Sequence, residues 1–481
     1  MASTGRNWDS DRAAGVLVGQ AAGDALGAGY EFAGKVPAVP KMVGGGLGNW
    51  KPGEWTDDTQ QALCIAQEAA TGVLSVQGVG ERLLAWYRGG PADVGNQTSA
   101  VLAHAASAGD LTATAADRFA RHPTGSAGNG SLMRTGPVAL AHLGDDAAIA
   151  EAATAISALT HGDPVCGEAC VLWCIAIDRA LRESRLDGIR DGLTLLPEAS
   201  RQRWATWIDE AETRPPSSFN PNGYVVSAFQ AALAAITQTP VPTDRPGLHL
   251  RQALAAAVRI GHDTDTVAAI AGALLGARWG ASAVPPGWFH LMQGWPGLWA
   301  TDLVRLGILS AWQGKPDKVG WPAADDLTDY YEREWANPPY AVALEDDPGV
   351  TLGNVFGLDT PAGRNADIVV SACRLGAGQV APSRAVTIQM LDSTDPEQNK
   401  NLDLVIADVA EAIEQWRSDG KTVYLHCVQC ESRSPTLAAA YLARHLHISG
   451  IEALTRLKAT TGKTPLNRTL RKAVERIPSS A

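Results

Sequence analysis

Gly15-Val16-Leu17-Val18-Gly19-Gln20-Ala21-Ala22-Gly23-Asp24-Ala25-Leu26-Gly27 decides how the N-terminal part of the chain is read. Glycine recurs at every fourth position among small and apolar residues, which on a helix lines one face and marks close packing against a second helix. The run leads to Tyr30-Glu31, where Glu31 supplies a carboxylate at the helix end. Further along, Ala- and Gly-rich stretches of helical period cover 60–70, 148–159, 165–181, 223–236, 248–260 and 264–279. Gly/Pro clusters such as Val43-Gly44-Gly45-Gly46, Lys51-Pro52-Gly53 and Arg214-Pro215-Pro216 punctuate them. The pattern predicts an all-α domain over 1–312 whose loops carry the polar chemistry.

Thr56-Asp57-Asp58-Thr59 and Asp263-Thr264-Asp265-Thr266 each pack carboxylates and hydroxyls into one turn ahead of an apolar helical run. Either segment alone reads equally well as a helix start, since Thr and Asp are preferred caps and acids favour a first turn. Together they form an oxygen-only donor set of the kind that hard divalent cations take. Acids brought to one spot are tolerated only with metal or protonation.

Bulk composition narrows the function. At 481 residues the chain exceeds one ordinary core, so two domains are expected. A net charge of −11 and a pI near 5.4 argue against sequence-independent binding to nucleic acid or an anionic membrane. A polar N-terminus, no long apolar stretch and an odd count of seven cysteines without framework spacing predict a cytoplasmic protein with reduced thiols. Cys64, Cys166, Cys170 and Cys174 fall in helical stretches and read as core.

Two loops complete the N-terminal pattern. Gly128-Asn129-Gly130-Ser131-Leu132-Met133-Arg134 is a Gly-rich turn entering a helix, whose backbone N–H groups could hold a diphosphate. Gly90-Pro91-Ala92-Asp93-Val94-Gly95-Asn96-Gln97-Thr98 sets an acid in a loop. With Gly23–Gly27, Gly53-Glu54-Trp55-Thr56-Asp57-Asp58-Thr59, Thr160-His161-Gly162 and Gly261-His262-Asp263-Thr264-Asp265-Thr266, residues 11–310 resemble the ADP-ribosylglycohydrolase family. The resemblance implies an all-helical fold holding two Mg²⁺ (or Mn²⁺) on Thr56, Asp57, Asp58, Asp263, Asp265 and Thr266. It implies that Glu31 is a gating or catalytic glutamate, that His161 packs near the adenosine, and that Asp93 lies beside the distal ribose. Gly128, Asn129, Gly130, Ser131 and Met133 would line the substrate. Cleavage of the ribosyl C1″ glycosidic bond would pass through an oxocarbenium-like state, with Asp58 or Glu31 as acid or base.

After Trp312 the texture changes. A segment over 313–345, rich in Asp, Glu and Pro in its first part, reads as a docked linker, and 346–481 as a small α/β domain with a central sheet. Its β-like runs are Asp367-Ile368-Val369-Val370, Ala385-Val386-Thr387-Ile388 and Thr422-Val423-Tyr424-Leu425, with helical stretches at 402–416, 435–445 and 451–460. His426-Cys427-Val428-Gln429-Cys430-Glu431-Ser432-Arg433-Ser434 joins a strand to a helix. There a helix start and Arg433 favour the thiolate form of Cys427, Arg433 can grip two phosphate oxygens, and Ser434 can assist the leaving thiolate. Residues 350–475 resemble the Cys-X5-Arg loop region of protein tyrosine and dual-specificity phosphatases. That resemblance implies an acid on a preceding loop, Asp392, with Asp395 as the alternative. Cys430 stands where that family usually has Gly, at a backbone conformation costly for other residues, and Glu431 puts an acid in the anion loop. Cys430 reads either as a resolving thiol for Cys427 or as the mark of a loop that binds without turnover.

The expected protein is a metal-dependent hydrolase acting on an ADP-ribosylated protein or small adduct, joined to a cysteine-dependent phosphatase domain taking a phosphoester. The alternative is a sensor whose phosphatase-like domain binds ADP-ribose or phosphate without turning it over. No membrane partner is expected.

Overall fold

The computed structural model describes residues 9–479, so the polar start of the chain at 1–8 lies outside the described residues. Contacts divide the chain into two compact units. One takes it through Pro242, with Leu248–Val284 and Leu291–Lys315; the other takes Thr243–Gly247, Pro285–His290 and the chain from Pro316 onward.

Among its described residues the regular structure of the first unit is helical apart from a short antiparallel pair, Gln293–Gly294 with Leu298–Trp299, and isolated bridges such as Gly128 with Tyr224. Helix α1 (Ser10–Gly27) starts at Asp9, whose carboxylate accepts from the Asp11 N–H at 2.9 Å. The other helices that frame the site are α2 (Asp57–Ala69), α3 (Pro164–Glu183), α4 (Val225–Thr237) and α5 (Thr264–Trp279). Helix α1 is buried almost throughout and packs most extensively on α5. Its glycine face explains how. A Cβ at Gly15, Gly19, Gly23 or Gly27 would overlap the backbone of Gly276, Gly272, Ala268 or Asp265 respectively. The stripe therefore brings two backbones together and sets Asp24 of α1 beside Asp265 of α5. Gly23→Val should force the pair apart and cost about 1–3 kcal/mol of stability, seen as a lower thermal midpoint of this unit.

The core beyond this pair is aromatic. Trp173 of α3 and Trp204 both meet Phe229 of α4 edge-on, at 5.2 and 5.0 Å. The Trp173 indole N–H donates to the Ile270 carbonyl of α5 at 3.0 Å. Cys64, Cys166, Cys170 and Cys174 are all free thiols buried in this core. No helix among the described residues is long and apolar enough to cross a membrane.

The second unit is a small α/β fold. Strands β1 (Ala341–Ala343), β2 (Val350–Asn354), β3 (Ile368–Ser371), β4 (Ala385–Thr387) and β5 (Val423–Cys427) lie in the order β1-β2-β5-β3-β4. Only the edge strand β1 is antiparallel to its neighbour. Central β5 is buried along its whole length, which its Val-Tyr-Leu-His-Cys sequence permits because the single histidine is hydrogen-bonded. Its carboxyl end delivers Cys427 to a loop that enters helix α7 (Arg433–His445); helix α6 (Leu402–Ser418) precedes the strand. The span expected as a linker holds the helix Thr328–Trp335 and strand β1. It is fastened to this unit by Tyr331 Oη donating to the Arg374 carbonyl at 2.5 Å, and by Arg374, which pairs with Asp317 at 3.0 Å and lies 4.1 Å over the Trp321 ring.

Candidate functional site

Three helix ends converge in the first unit. Thr56 caps α2, Asp263 caps α5, and Asp24 comes from the last turn of α1. Carboxylate oxygens of Asp24, Asp58 and Asp265 lie within 4.8 Å of one another, and those of Glu31, Asp263 and Asp265 form a second such group. Asp265 belongs to both. The sequence reading brought four of these acids together and omitted Asp24. Its carboxylate accepts from the backbone N–H of Thr56 at 2.9 Å and of Thr59 at 3.0 Å, and from the Thr59 hydroxyl at 2.6 Å. Asp24 thereby anchors the start of α2 to α1. The one signal for it was a lone acid within the Gly/Ala face of α1.

The remaining acids are individually held. Asp57 Oδ2 accepts from Gln61 Nε2 at 2.9 Å, one turn along α2. Thr56 Oγ1 donates to Asp58 Oδ2 at 2.9 Å, while Asp58 Oδ1 is buried without a partner. Asp263 Oδ2 accepts from Asn129 Nδ2 at 2.7 Å. Asp265 Oδ1 accepts from the Thr266 N–H at 3.0 Å, and the Thr266 hydroxyl reaches Asp263. Glu31 Oε2 is likewise buried and unpartnered. Asp93 is half-buried, accepts from the Val94 N–H at 2.8 Å, and is close enough for its charge to act on Glu31 and Asp57.

Crowding shows in the protonation of the group. Burial, reinforced by Asp263, Asp93, Asp57 and Asp24, pushes Glu31 up to about 8. Burial pushes Asp24 up to about 6 against the opposing hydrogen bonds from Thr59 and Thr56. Asp57, Asp58 and Asp265 rise well above the usual carboxylate range through burial and the surrounding acids, and Asp263 rises through burial. A cluster built of hard oxygens, short of counter-charge and carrying two orphaned buried oxygens, fits divalent cations.

The loop at 128–131 stands beside the acids. Asn129 donates from Nδ2 to the Asn222 carbonyl at 3.1 Å as well as to Asp263, and the Asp263 N–H donates to Asn222 Oδ1 at 3.1 Å. Asn222, fully buried, thus stitches two candidate loops together. Sequence reasoning passed it over because its partners lie far away in the chain. Ser131 and Met133 are buried, with Ser131 Oγ accepting from Ser157 Oγ at 2.9 Å. Gly128 and Gly130 face the buried His161 ring, whose Nε2 has no partner and which burial pushes down to about 3.

In the second unit Cys427 ends β5, buried, its Sγ accepting from Ser434 Oγ at 3.3 Å. Arg433 donates from Nη1 to the Ala372 carbonyl at 2.7 Å and leaves Nε buried without a partner, a donor free for an anion. His426 is buried, bonded to Ser371 Oγ at 2.8 Å, and pushed down to about 4 chiefly by burial, so it is neutral. Cys430 takes φ +59°, the left-handed conformation that a glycine would adopt freely. Its thiol is fully buried and pushed up to about 12 by burial and by Cys427, while Glu431 is exposed. Asp392 is exposed and its Oδ1 accepts from Asn467 Nδ2 at 2.9 Å. Asp395 instead caps the turn after it, accepting from the Glu397 N–H at 3.0 Å. The Asn467 N–H also donates to Ser432 Oγ at 3.3 Å, so one residue touches both the Cys427 loop and the Asp392 loop.

Comparison with known proteins agrees with both halves. The ADP-ribosylglycohydrolase family matches residues 6–317, and the catalytic domain of dual specificity phosphatases matches 376–474. The ADP-ribosyl-[dinitrogen reductase] glycohydrolase of Rhodospirillum rubrum is 31% identical over 285 residues, 58% of this chain and 89% of its own. The ADP-ribosylarginine hydrolase Tri1 of Pseudomonas putida is 31% identical over 291 residues, 58% of this chain and 73% of its own. A solved structure described as an ADP-ribosylglycohydrolase-related protein complex aligns with 64% of this chain and 99% of its own, at 28% identity and a TM-score of 0.49. The chain belongs to the ADP-ribosylglycohydrolase family and carries, after that domain, one of the dual specificity phosphatase type.

Proposed function

We propose that the first unit is a divalent-metal-dependent hydrolase that cleaves the ribosyl C1″ bond of ADP-ribosylated substrates. The observation that carries this reading is Asp265, shared by two groups of mutually close carboxylates among acids that burial and one another hold above their usual range. Asp24, Asp57, Asp58, Asp263 and Asp265, with the Thr56 and Thr266 hydroxyls, would hold the ions, and Glu31 stands beside them. When bound, the ions supply neutralising charge and Lewis acidity toward ribose oxygens and water. The chain's own residues supply the rest. Gln61 fixes Asp57, Asn129 fixes Asp263, and Gly128 and Gly130 leave room for the substrate beside them. Developing positive charge at the anomeric carbon is stabilised by the surrounding carboxylates, and Glu31 Oε2, unpartnered at the cluster's edge, is the candidate proton carrier.

For the second unit we infer thiol-dependent phosphoester hydrolysis. Cys427 Sγ attacks phosphorus while Asp392 protonates the departing oxygen, and water then releases phosphate from sulfur as Ser434 Oγ donates to the returning thiolate. The left-handed Cys430 keeps the loop backbone in the form that a glycine would give, which phosphate binding and turnover both need.

The test is release of ADP-ribose from arginine-, serine-, ester- and nucleic-acid-linked substrates, with a phosphatase assay in parallel, for the parent, Asp57→Ala and Cys427→Ser. Asp57→Ala should lose ADP-ribose release alone, and Cys427→Ser phosphatase activity alone. Release unchanged in Asp57→Ala would refute the first assignment. Phosphate binding without hydrolysis in the parent would make the second domain a sensor. Asn467→Ala should lower phosphatase kcat about tenfold, with a larger loss for alkyl than for nitrophenyl esters, because only poor leaving groups need the acid held.

A further inference from the structure

Arg134 is an arginine wholly inside the first unit, and none of its hydrogen bonds goes to a carboxylate. Nη1 donates to Gln61 Oε1 at 2.7 Å and Nη2 to Thr160 Oγ1 at 2.7 Å, with a long contact from Nη2 to the Ile156 carbonyl at 3.5 Å. A buried cation without an anion is an expensive way to fill a core. Both of its close partners lead to candidate site residues. Gln61 passes from Arg134 to Asp57, and Thr160 passes from Arg134 to His161 Nδ1 at 2.8 Å.

The direction of these bonds follows from what each group can do. A guanidinium only donates, so the Thr160 oxygen accepts from Arg134. Thr160 is fully buried and its single hydroxyl proton has one acceptor within reach, His161 Nδ1. Were Nδ1 protonated instead, the Thr160 hydroxyl would be a buried donor left unmade. Nδ1 accepting uses the Thr160 proton and leaves Nε2–H as the one unmade donor of the pair, the one that faces Gly128 and Gly130. That nitrogen is buried, and a Cβ at those two positions would come within 3.7 and 3.4 Å of it. With glycine at both positions, no side chain of this loop stands against the nitrogen.

We propose that Arg134 is a positioning residue which, through Thr160, fixes His161 in the Nε2–H form and so presents a donor to an acceptor oxygen of the ADP-ribosyl group over Gly128 and Gly130. This rests on the glycohydrolase reading for the identity of the ligand, but not for the tautomer. A pocket set this way accepts a ligand oxygen there and rejects a ligand donor.

The full-length protein, labelled with ¹⁵N-histidine and supplied with Mg²⁺, provides the test. Imidazole nitrogen shifts, assigned by difference from His161→Gln, report the tautomer, and calorimetry with ADP-ribose reports affinity. The parent and Thr160→Ser should show Nε2–H and bind alike. Thr160→Val, close to isosteric, should shift the ring toward Nδ1–H and weaken ADP-ribose about tenfold or more. Arg134→Lys, which cannot hold Gln61 and Thr160 together, should weaken it similarly, and a retained thermal midpoint separates these effects from unfolding. An Nδ1–H ring in the parent, or a changed tautomer in Thr160→Val with unchanged affinity, overturns the proposal. A parent that does not bind ADP-ribose counts against the glycohydrolase reading and the named ligand, and leaves the relay to be decided by the nitrogen shifts alone.

Discussion

Asp265→Ala should lower kcat/KM for ADP-ribose release by about a thousandfold or more, equivalent to about 4 kcal/mol of transition-state stabilisation. The residue sits in both carboxylate groups, so its removal takes a donor from each at once. The same substitution should leave the chelated protein as stable as the parent or more so. Asp265 is a buried acid among Asp58, Glu31, Asp263 and Asp24, and deleting it relieves their mutual repulsion in the metal-free protein. Activity falling while the thermal midpoint of the chelated protein holds or rises separates a functional acid from a structural one. A structural acid would lose both together.

The second large effect is on stability against pH. Glu31 is pushed up to about 8 and Asp57, Asp58 and Asp265 well above their usual range, whereas the unfolded chain titrates them near 4. Groups whose folded value is raised bind more protons when folded, so their contribution is present at low pH and disappears as pH rises through the folded values. The metal-free first unit should therefore lose stability between pH 6.5 and 8. Buried, neutral His161 acts the other way, since its folded value is depressed and its contribution is lost as pH falls below about 6.5. Above that pH the raised acids set the slope, the cluster together with Asp11, which lies away from the site and which burial pushes up to about 7. Added Mg²⁺ or Mn²⁺ should flatten it by replacing protons with bound charge, raising the midpoint more at pH 8 than at pH 6.5. Denaturant midpoints at those two pH values, with and without metal, measure this directly.

Much of this was legible in the chain because it depends on local spacing. The four-residue glycine period of α1 gave a close helix pair, and the two acid–hydroxyl turns gave two helix starts. Strand, loop and helix around Cys427 were equally local. What escaped is what only the folded chain brings together. Asp24 reads as one acid in a packing face until Thr56 and Thr59 donate to it. Asn222 carries no local signal, and Arg134, though it closes the Gly128 motif, shows no role there, since the partners of both lie tens of residues away. Strands β1 and β2 were missed because β1 is Ala-Val-Ala, poor in the β-branched and aromatic residues that mark a strand, and β2 includes a glycine and ends in an asparagine that caps the following turn.

The most direct measurement is ADP-ribose release by the full-length protein after exhaustive chelation, repeated as Mg²⁺ or Mn²⁺ is titrated back. Near-complete loss on chelation, with activity restored by either ion in the parent but not in Asp265→Ala, is the predicted result. Release that persists at the parental rate in chelator would contradict the account, because the crowded carboxylates would then have to catalyse without the charge that makes them tolerable.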